Sequence, residues 1–537
     1  MKHFDNLYNP YKTPRHTTIA KNGMVATSQP LAAQAGLTML QKGGNAIDAA
    51  IAAAAALTVV EPTSNGIGSD AFALVWVKDK LYGLNGSGHA PASISIDKLK
   101  SRGYDEIPKY GFVPVTVPGA PGAWVELSDR FGKLPFEEVL APAIQYAEEG
   151  YPVSPVLGKF WSMAAEKFKN TLEGEEFSHW FHTFAPNGKA PQIGEIWKSK
   201  GHAATLRKIA ETKGEAFYQG ELAEEIDQFS KQYGGYITKE DLANYEPKWV
   251  DPISVDYKGY QVWEIPPNGQ GIVALSALNI LKGFDISEKE SVETYHKQIE
   301  AMKLAFADGE KYIADESFMD VSTKALLNES YAEERRGLIG DTARLPESGT
   351  PPKGGTVYLA AADNEGNMVS FIQSNYMGFG SGLVVPGTGI ALQNRGHNFS
   401  LDPDHANSLH GNKKSYHTII PGFLTKGSDP VGPFGVMGGF MQPQGHVQVA
   451  MNTIDFHLNP QAALDSPRWQ WMKERTVWVE PNFPNHVAEA LARKGHTIEV
   501  QLETGAFGRG QIIWRDSQTG ILYGGTESRT DGTIAAY

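Results

Sequence analysis

The chain has 537 residues and a formal net charge of −13, from 48 Lys+Arg against 61 Asp+Glu. Hydrophobic residues at 41% and charged residues at 20% allow a substantial core and exclude wholesale disorder. The acidic balance leaves no basic stripe to neutralise phosphates, so no nucleic-acid partner is expected. Cysteine is absent, which removes disulfides, thiolate metal sites and a Cys nucleophile together.

The first 22 residues mix Asp5, Lys12, Arg15 and Lys21 with prolines and carry no apolar run. No signal peptide is therefore expected, and the reading is a cytoplasmic protein, although a cysteine-free chain would also suit export. Residues 28–57 predict helices: Leu37 and Leu40 give an apolar face, Gly43-Gly44 breaks it, and Asn45 can cap an alanine-rich helix. Residues 49–60 are apolar and closed by Glu61-Pro62. They fall well short of the ~20 residues a bilayer span needs, so a buried helix is expected and no membrane partner. Glycines 66 and 68 mark a loop before a buried strand at residues 72–77. Residues 291–313 read as a helix with Tyr295, Ile299, Met302, Ala305 and Phe306 on one face.

Residues 341–355, DTARLPESGTPPKGG, hold three prolines and three glycines without apolar periodicity. They predict an exposed connector. The texture changes at once. Residues 356–361 and 368–374 are β-rich around the turn Asn364-Glu365-Gly366-Asn367, which predicts a hairpin. Further strands are expected at residues 434–440 and 511–514. The chain divides into a helix-rich part, 1–355, and a strand-rich part, 356–537.

A GxSxG elbow, a P-loop, a GxGxxG after a strand and an HExxH are all missing. The 15 histidines are scattered, and His179 and His182 read as surface residues rather than ligands. Metallohydrolase and nucleotide chemistry are disfavoured; no metal or cofactor is expected. What remains is Gly355-Thr356, where connector meets hairpin. A Thr hydroxyl there can attack the preceding carbonyl, and hydrolysis after an N-to-O acyl shift frees the Thr α-amine. With a reference pKa of about 7.7–8.0, that amine can serve as general base for its own hydroxyl.

Long blocks then carry a resemblance. The first part holds residues 29–72, QPLAAQAGLTMLQKGGNAIDAAIAAAAALTVVEPTSNGIGSDAF, and residues 117–154, which open VPGAPGAWVELSDRFGKLPFEEVLAPA. ITKEDLANY, PPNGQG and EAMKLAFAD follow, and GGTVYLAAADNEGNMVSF opens the second part. Over nearly its whole length the chain resembles the γ-glutamyltranspeptidase (glutathione hydrolase) proenzymes, which are N-terminal-nucleophile hydrolases. The resemblance implies an α/β (α+β) fold, a four-layer αββα sandwich built from both halves of one precursor. It implies cleavage between Gly355 and Thr356 and catalysis by Thr356, assisted by Ser374. Gly438 and Gly439 would supply the oxyanion-hole N–H groups. The partners implied are a small-molecule amide, water or an amine acceptor, and the two fragments of the precursor.

The acyl-binding positions depart from the family's pattern. Ser87 stands where the resemblance implies an Arg, with His89 two residues on, and Asn398 stands where it implies an Asp. Arg395 and His397 flank that segment, Tyr376 replaces an Asn, and His417 and Thr418 replace paired serines. An anion lost beside an ammonium site and a guanidinium gained would favour a terminal carboxylate, such as glutaryl, over γ-glutamyl. This pattern resembles the cephalosporin (glutaryl) acylase branch. Arg395 as a structural ion-pair residue stays an open alternative. So do an ordinary glutathione hydrolase with a rebuilt pocket and an unprocessed binding protein. The short interval from Phe399 to Ser415 implies an open acceptor side.

Overall fold

The computed structural model describes Tyr11, residues 15–346 and residues 355–537. Residues 347–354 of the expected connector, and most of the extreme N-terminus, lie outside the described residues. Local signals set the helices where the sequence places them. Asn45 Oδ1 accepts hydrogen bonds from the backbone N–H groups of Ile47 and Asp48, and the Asn45 N–H donates to Asp48 Oδ2 at 2.9 Å, closing a capping box on the helix Ala46–Val60. Ser291 caps the helix Val292–Tyr312 in the same way, through the N–H of Thr294.

Two seven-stranded antiparallel sheets pack face to face. The first runs Thr533–Ala536, Gly23–Thr27, Gly355–Asp363, Met368–Tyr376, Asp70–Val77, Lys80–Gly86, Lys248–Val250. The second runs Thr18–Ala20, Leu522–Thr526, Arg509–Arg515, Asp429–Met437, Gly422–Lys426, Tyr260–Glu264, Ile253–Tyr257. The expected hairpin is the centre of the first sheet. Each sheet contains strands from both sides of residue 355.

Strand alternation sorts the side chains into layers. Ala71, Ala73, Val75, Val357, Leu359, Val369 and Phe371 face one way, against the alanine-rich helix Ala46–Val60 and its neighbours. Phe72, Leu74, Tyr358, Ala360 and Ile372 face the other way and meet Phe423, Met437 and Ile513 of the second sheet. Beyond that sheet lie the helices Gly271–Leu281, Val292–Tyr312 and Met441–Ile454. The result is helix, sheet, sheet, helix: the four-layer αββα sandwich. Every residue of Ala46–Val60 is buried. Its alanines permit close approach; a Cβ added at Gly36 would sit 2.8 Å from the Ala49 carbonyl oxygen.

The chain entering the junction is fastened to the outer helix layer. His296 Nε2 donates to the Gly340 carbonyl at 2.8 Å, and the Arg344 N–H donates to Glu300 at 3.1 Å. Lys303 Nζ bonds the Arg344 carbonyl at 3.1 Å and Glu300 at 2.7 Å. His296, Glu300 and His496 could together offer ligand atoms to a metal, yet the Lys303 ammonium already supplies the cation there.

Candidate active site

Thr356 opens the central strand of the first sheet on the face turned towards the second sheet. Its hydroxyl donates to Ser374 Oγ at 3.1 Å and lies 3.4 Å from Gln442 Nε2. Ser374 Oγ also accepts the Tyr376 N–H at 2.8 Å. That bond helps hold Tyr376 at φ +73°, a left-handed conformation that costs a non-glycine residue roughly 1–2 kcal/mol. Thr356, Ser374 and Tyr376 are all buried.

The second sheet brings the glycines. Asp429–Met437 ends at Gly438 and Gly439, with φ of +139° and +62°, and the helix Met441–Ile454 begins immediately after. A Cβ on Gly438 would lie 3.1 Å from Gly508 Cα. Gln270 Nε2 ties this turn to the neighbouring loop by donating to the carbonyls of Gly439 at 2.9 Å and Thr418 at 2.5 Å.

Arg395 is 1% exposed, which excludes a solvated role. Its Nε donates to Asp70 Oδ2 at 3.3 Å, its Nη1 donates to Thr418 Oγ1 at 2.7 Å, and its plane lies 4.5 Å from the Tyr376 ring centroid. His417 Nε2 donates to the same Asp70 Oδ2 at 2.8 Å while its Nδ1 faces the Ile419 N–H at 3.4 Å. Burial, then the Arg395 charge, pushes the His417 pKa down to about 4, so the ring is neutral at neutral pH. Burial lowers the Arg395 pKa and Asp70 opposes that shift. Buried Arg395 Nη2, Tyr376 Oη, Asn375 Nδ2 and Asp70 Oδ1 have no hydrogen-bond partner among the described residues.

Arg395 is ion-paired with Asp70, from the strand Asp70–Val77. Lys414 comes near Ser87 through Asn85. Its ammonium lies 3.3 Å from Asn85 Oδ1, which also accepts the Ser87 hydroxyl at 2.7 Å. Burial, reinforced by Lys248, lowers the Lys414 pKa to about 8. The remaining sequence candidates stand further out. Asn398 Nδ2 donates to the Tyr416 carbonyl at 3.0 Å, His89 Nδ1 meets the Ala90 carbonyl at 3.0 Å, and His397 Nδ1 meets the Ile107 carbonyl at 2.6 Å. His397 faces a surface cavity of about 490 Å³ with Ile107, Phe399 and Asp402. Asp70, Lys414 and Gln442 escaped the sequence reading. Only Asp70 left a signal there, as a lone acid opening the otherwise apolar strand DAFALVWV.

A four-layer αββα sandwich with a threonine at the head of a central strand defines the class of N-terminal-nucleophile amide hydrolases. The gamma-glutamyltranspeptidase family model matches residues 32–537, and the chain belongs to that family. It is 37% identical to the glutathione hydrolase-like YwrD proenzyme of Bacillus subtilis over 529 residues, covering 96% of this chain and 98% of that one. It is 33% identical to the oxamate amidohydrolase proenzyme of Klebsiella pneumoniae over 537 residues, covering 97% and 99%. The crystal structure of a cephalosporin acylase from Bacillus halodurans superposes with a TM-score of 0.96 at 66% identity, covering 99% of each chain. The protein is a self-processing amidohydrolase or acyltransferase of this family, and the binding-protein alternative is set aside. No helix among the described residues is long and apolar enough to cross a membrane.

Proposed function

We propose that the chain is cut between Gly355 and Thr356, and that Thr356 then cleaves amides of short acyl groups ending in a carboxylate, of γ-glutamyl or glutaryl type. The observation that carries this reading is the Thr356 hydroxyl held on Ser374 Oγ at 3.1 Å, on a strand end whose neighbourhood holds buried donors without acceptors among the described residues. In the precursor the Thr356 hydroxyl, held by Ser374 Oγ, attacks the Gly355 carbonyl, and its proton passes to the Thr356 nitrogen as the peptide C–N bond breaks and the ester forms. Water then hydrolyses the ester, which frees the Gly355 carboxylate and returns the Thr356 hydroxyl. The fragments 1–355 and 356–537 stay interlocked, since each sheet holds strands of both.

The freed Thr356 α-amine accepts the hydroxyl proton as Oγ1 attacks a substrate carbonyl. The N–H groups of Gly438 and Gly439 would receive the oxyanion, at the N-terminus of Met441–Ile454, where the helix dipole favours negative charge. The proton passes to the leaving amine, and water or an acceptor amine resolves the acyl-enzyme. Arg395 Nη2 and Tyr376 Oη would hold the distal carboxylate, with His417 and Thr418 fixing Arg395. Ser87 and Lys414 line the approach, and His89, His397 and Asn398 shape its loops.

Purified protein on a denaturing gel should show two fragments, and N-terminal sequencing of the smaller should begin at Thr356. Thr356→Ala should stay full length and inactive. A mature cut elsewhere would sink the proposal.

A further inference from the structure

Gln442 stands in the first turn of the helix Met441–Ile454, and its backbone N–H donates to the Gly439 carbonyl at 3.1 Å. Its side chain is fully buried. Oε1 accepts the Ile420 N–H at 2.9 Å, and Nε2 donates to Thr356 Oγ1 at 3.4 Å. A backbone N–H can only donate, so Ile420 fixes which end of the amide faces it and leaves the NH2 end on Thr356. The Ile420 loop is itself held, because the Gln270 N–H donates to the His417 carbonyl at 2.9 Å.

Thr356 Oγ1 thus gives its proton to Ser374 Oγ and accepts one hydrogen bond from Gln442. The two contacts act differently. An amide NH2 does not give up its proton and cannot serve as a base, but it stabilises negative charge on the oxygen it touches. Such charge develops on Oγ1 when an ester made there breaks. A neutral ester oxygen accepts weakly, so the contact strengthens most in the step that releases Oγ1. Hydrogen bonds of this kind are often long before the reacting group arrives and tighten in the complex.

We infer that Gln442 is a catalytic residue for the release of Thr356 Oγ1, from the Gly355 ester of self-processing and from the acyl-enzyme alike. In each case water, or an acceptor amine on the acyl-enzyme, attacks the ester carbonyl and the C–Oγ1 bond breaks. The proton of the attacking group passes through the Thr356 amine to Oγ1, and Gln442 keeps both of its amide protons. One short stretch, residues 438–442, then serves both oxygens of the tetrahedral intermediate: the glycine N–H groups the carbonyl oxygen, Gln442 the leaving one. This inference rests on Thr356 as the nucleophile.

The test is the split between acylation and deacylation in Gln442→Met, read with γ-glutamyl and glutaryl p-nitroanilides. The first turnover reports acylation and the steady state reports deacylation. Deacylation should fall about 10–100-fold, the worth of one hydrogen bond to a charged atom, and acylation far less. An acyl adduct on the 356–537 fragment should then accumulate and be seen by intact mass. Both rates come from the same active sites, so partial misfolding does not shift their ratio. Equal losses without an adduct, or no loss, would make Gln442 a prop for the Ile420 loop and overturn the inference. Self-processing gives a second reading that needs no substrate. The variant chain should be cut slowly, and hydroxylamine, attacking the stalled ester of the folded chain, should restore cutting after Gly355. A slow chain that hydroxylamine does not help has lost the acyl shift rather than the release, and the inference fails. Should Gln442→Met not accumulate, Gln442→Glu replaces it under the same rules. It keeps an acceptor for the Ile420 N–H and is read at high pH, where an ionised carboxylate has no proton to donate. An error about Thr356 itself looks different: in the wild type no fragment would begin at Thr356.

Discussion

Arg468 and Arg395 are both fully buried and both paired with an acid, but their surroundings differ. Arg468 bonds Glu527 at 2.8 Å and the carbonyls of Phe507 and Gly508 at 2.9 Å. Arg529 grips Glu480 in bidentate fashion at 2.6 and 2.5 Å and reaches Glu527 at 2.6 Å. None of these four side chains has an unpartnered buried atom. The network locks the loop at Gly508 against the Gly438 turn, with the Gly510 N–H donating to Glu527 at 2.9 Å. Around Arg395, by contrast, donors and an acceptor are left over. A fully satisfied network rigidifies the backbone it holds, whereas an unfinished one carries the cost of its unpaired groups.

Breaking the closed network should have the largest effect. Glu527→Gln leaves Arg468 and Arg529 under-compensated in the interior, and breaking a buried pair costs about 3–5 kcal/mol. Urea unfolding of the processed protein should show that loss. A variant as stable as wild type would erase the distinction between the two networks.

Acid separates the networks next. The arginines hold the Glu527 pKa at about 2, below its ordinary 4.5. Its stabilising contribution is complete above about pH 4.5 and is lost as pH falls towards 2. The His417 pKa is also depressed, from 6.5 to about 4, so the unfolded chain binds the extra proton between those values. Stability should therefore decline from pH 6.5 to 4 on account of His417, and continue to fall from about 4.5 towards 2 on account of Glu527. Unfolding curves at pH 7, 5 and 3 check this, with His417→Gln expected to flatten the upper limb alone.

The smallest effect on the fold should come from Tyr376→Phe. Its hydroxyl is buried without a partner, so removing it should leave Tm unchanged or slightly raised. Its kcat/KM should nonetheless fall about 5–10-fold, the worth of roughly 1 kcal/mol from one hydrogen bond to substrate. A clear drop in Tm with unchanged kinetics would place Tyr376 among the structural residues instead.

Much of the fold was legible because it is written in local signals. The Asn45 cap, the helix beginning after Ser291 and the hairpin around residues 364–367 each depend on residues a few positions apart. Thr356 stood out locally, at the junction of connector and hairpin, whereas Ser374 and the glycine pair were named only through the family's blocks. Arg395 stood out only as a departure from those blocks, and its sequence gave no sign of what neutralises it.

Sequence alone determined the alternation within each strand, since strand period is a local property, whereas strand pairing brought Ser374 opposite Asp70. It also determined the family, through long ordered blocks. Tertiary structure alone decided the charge balance around Arg395. Asp70 meets Arg395 across 325 positions and His417 across 347. Lys414 meets Asn85 across 329. Electrostatic pairing depends on a few ångströms in space, and no spacing along the chain records it.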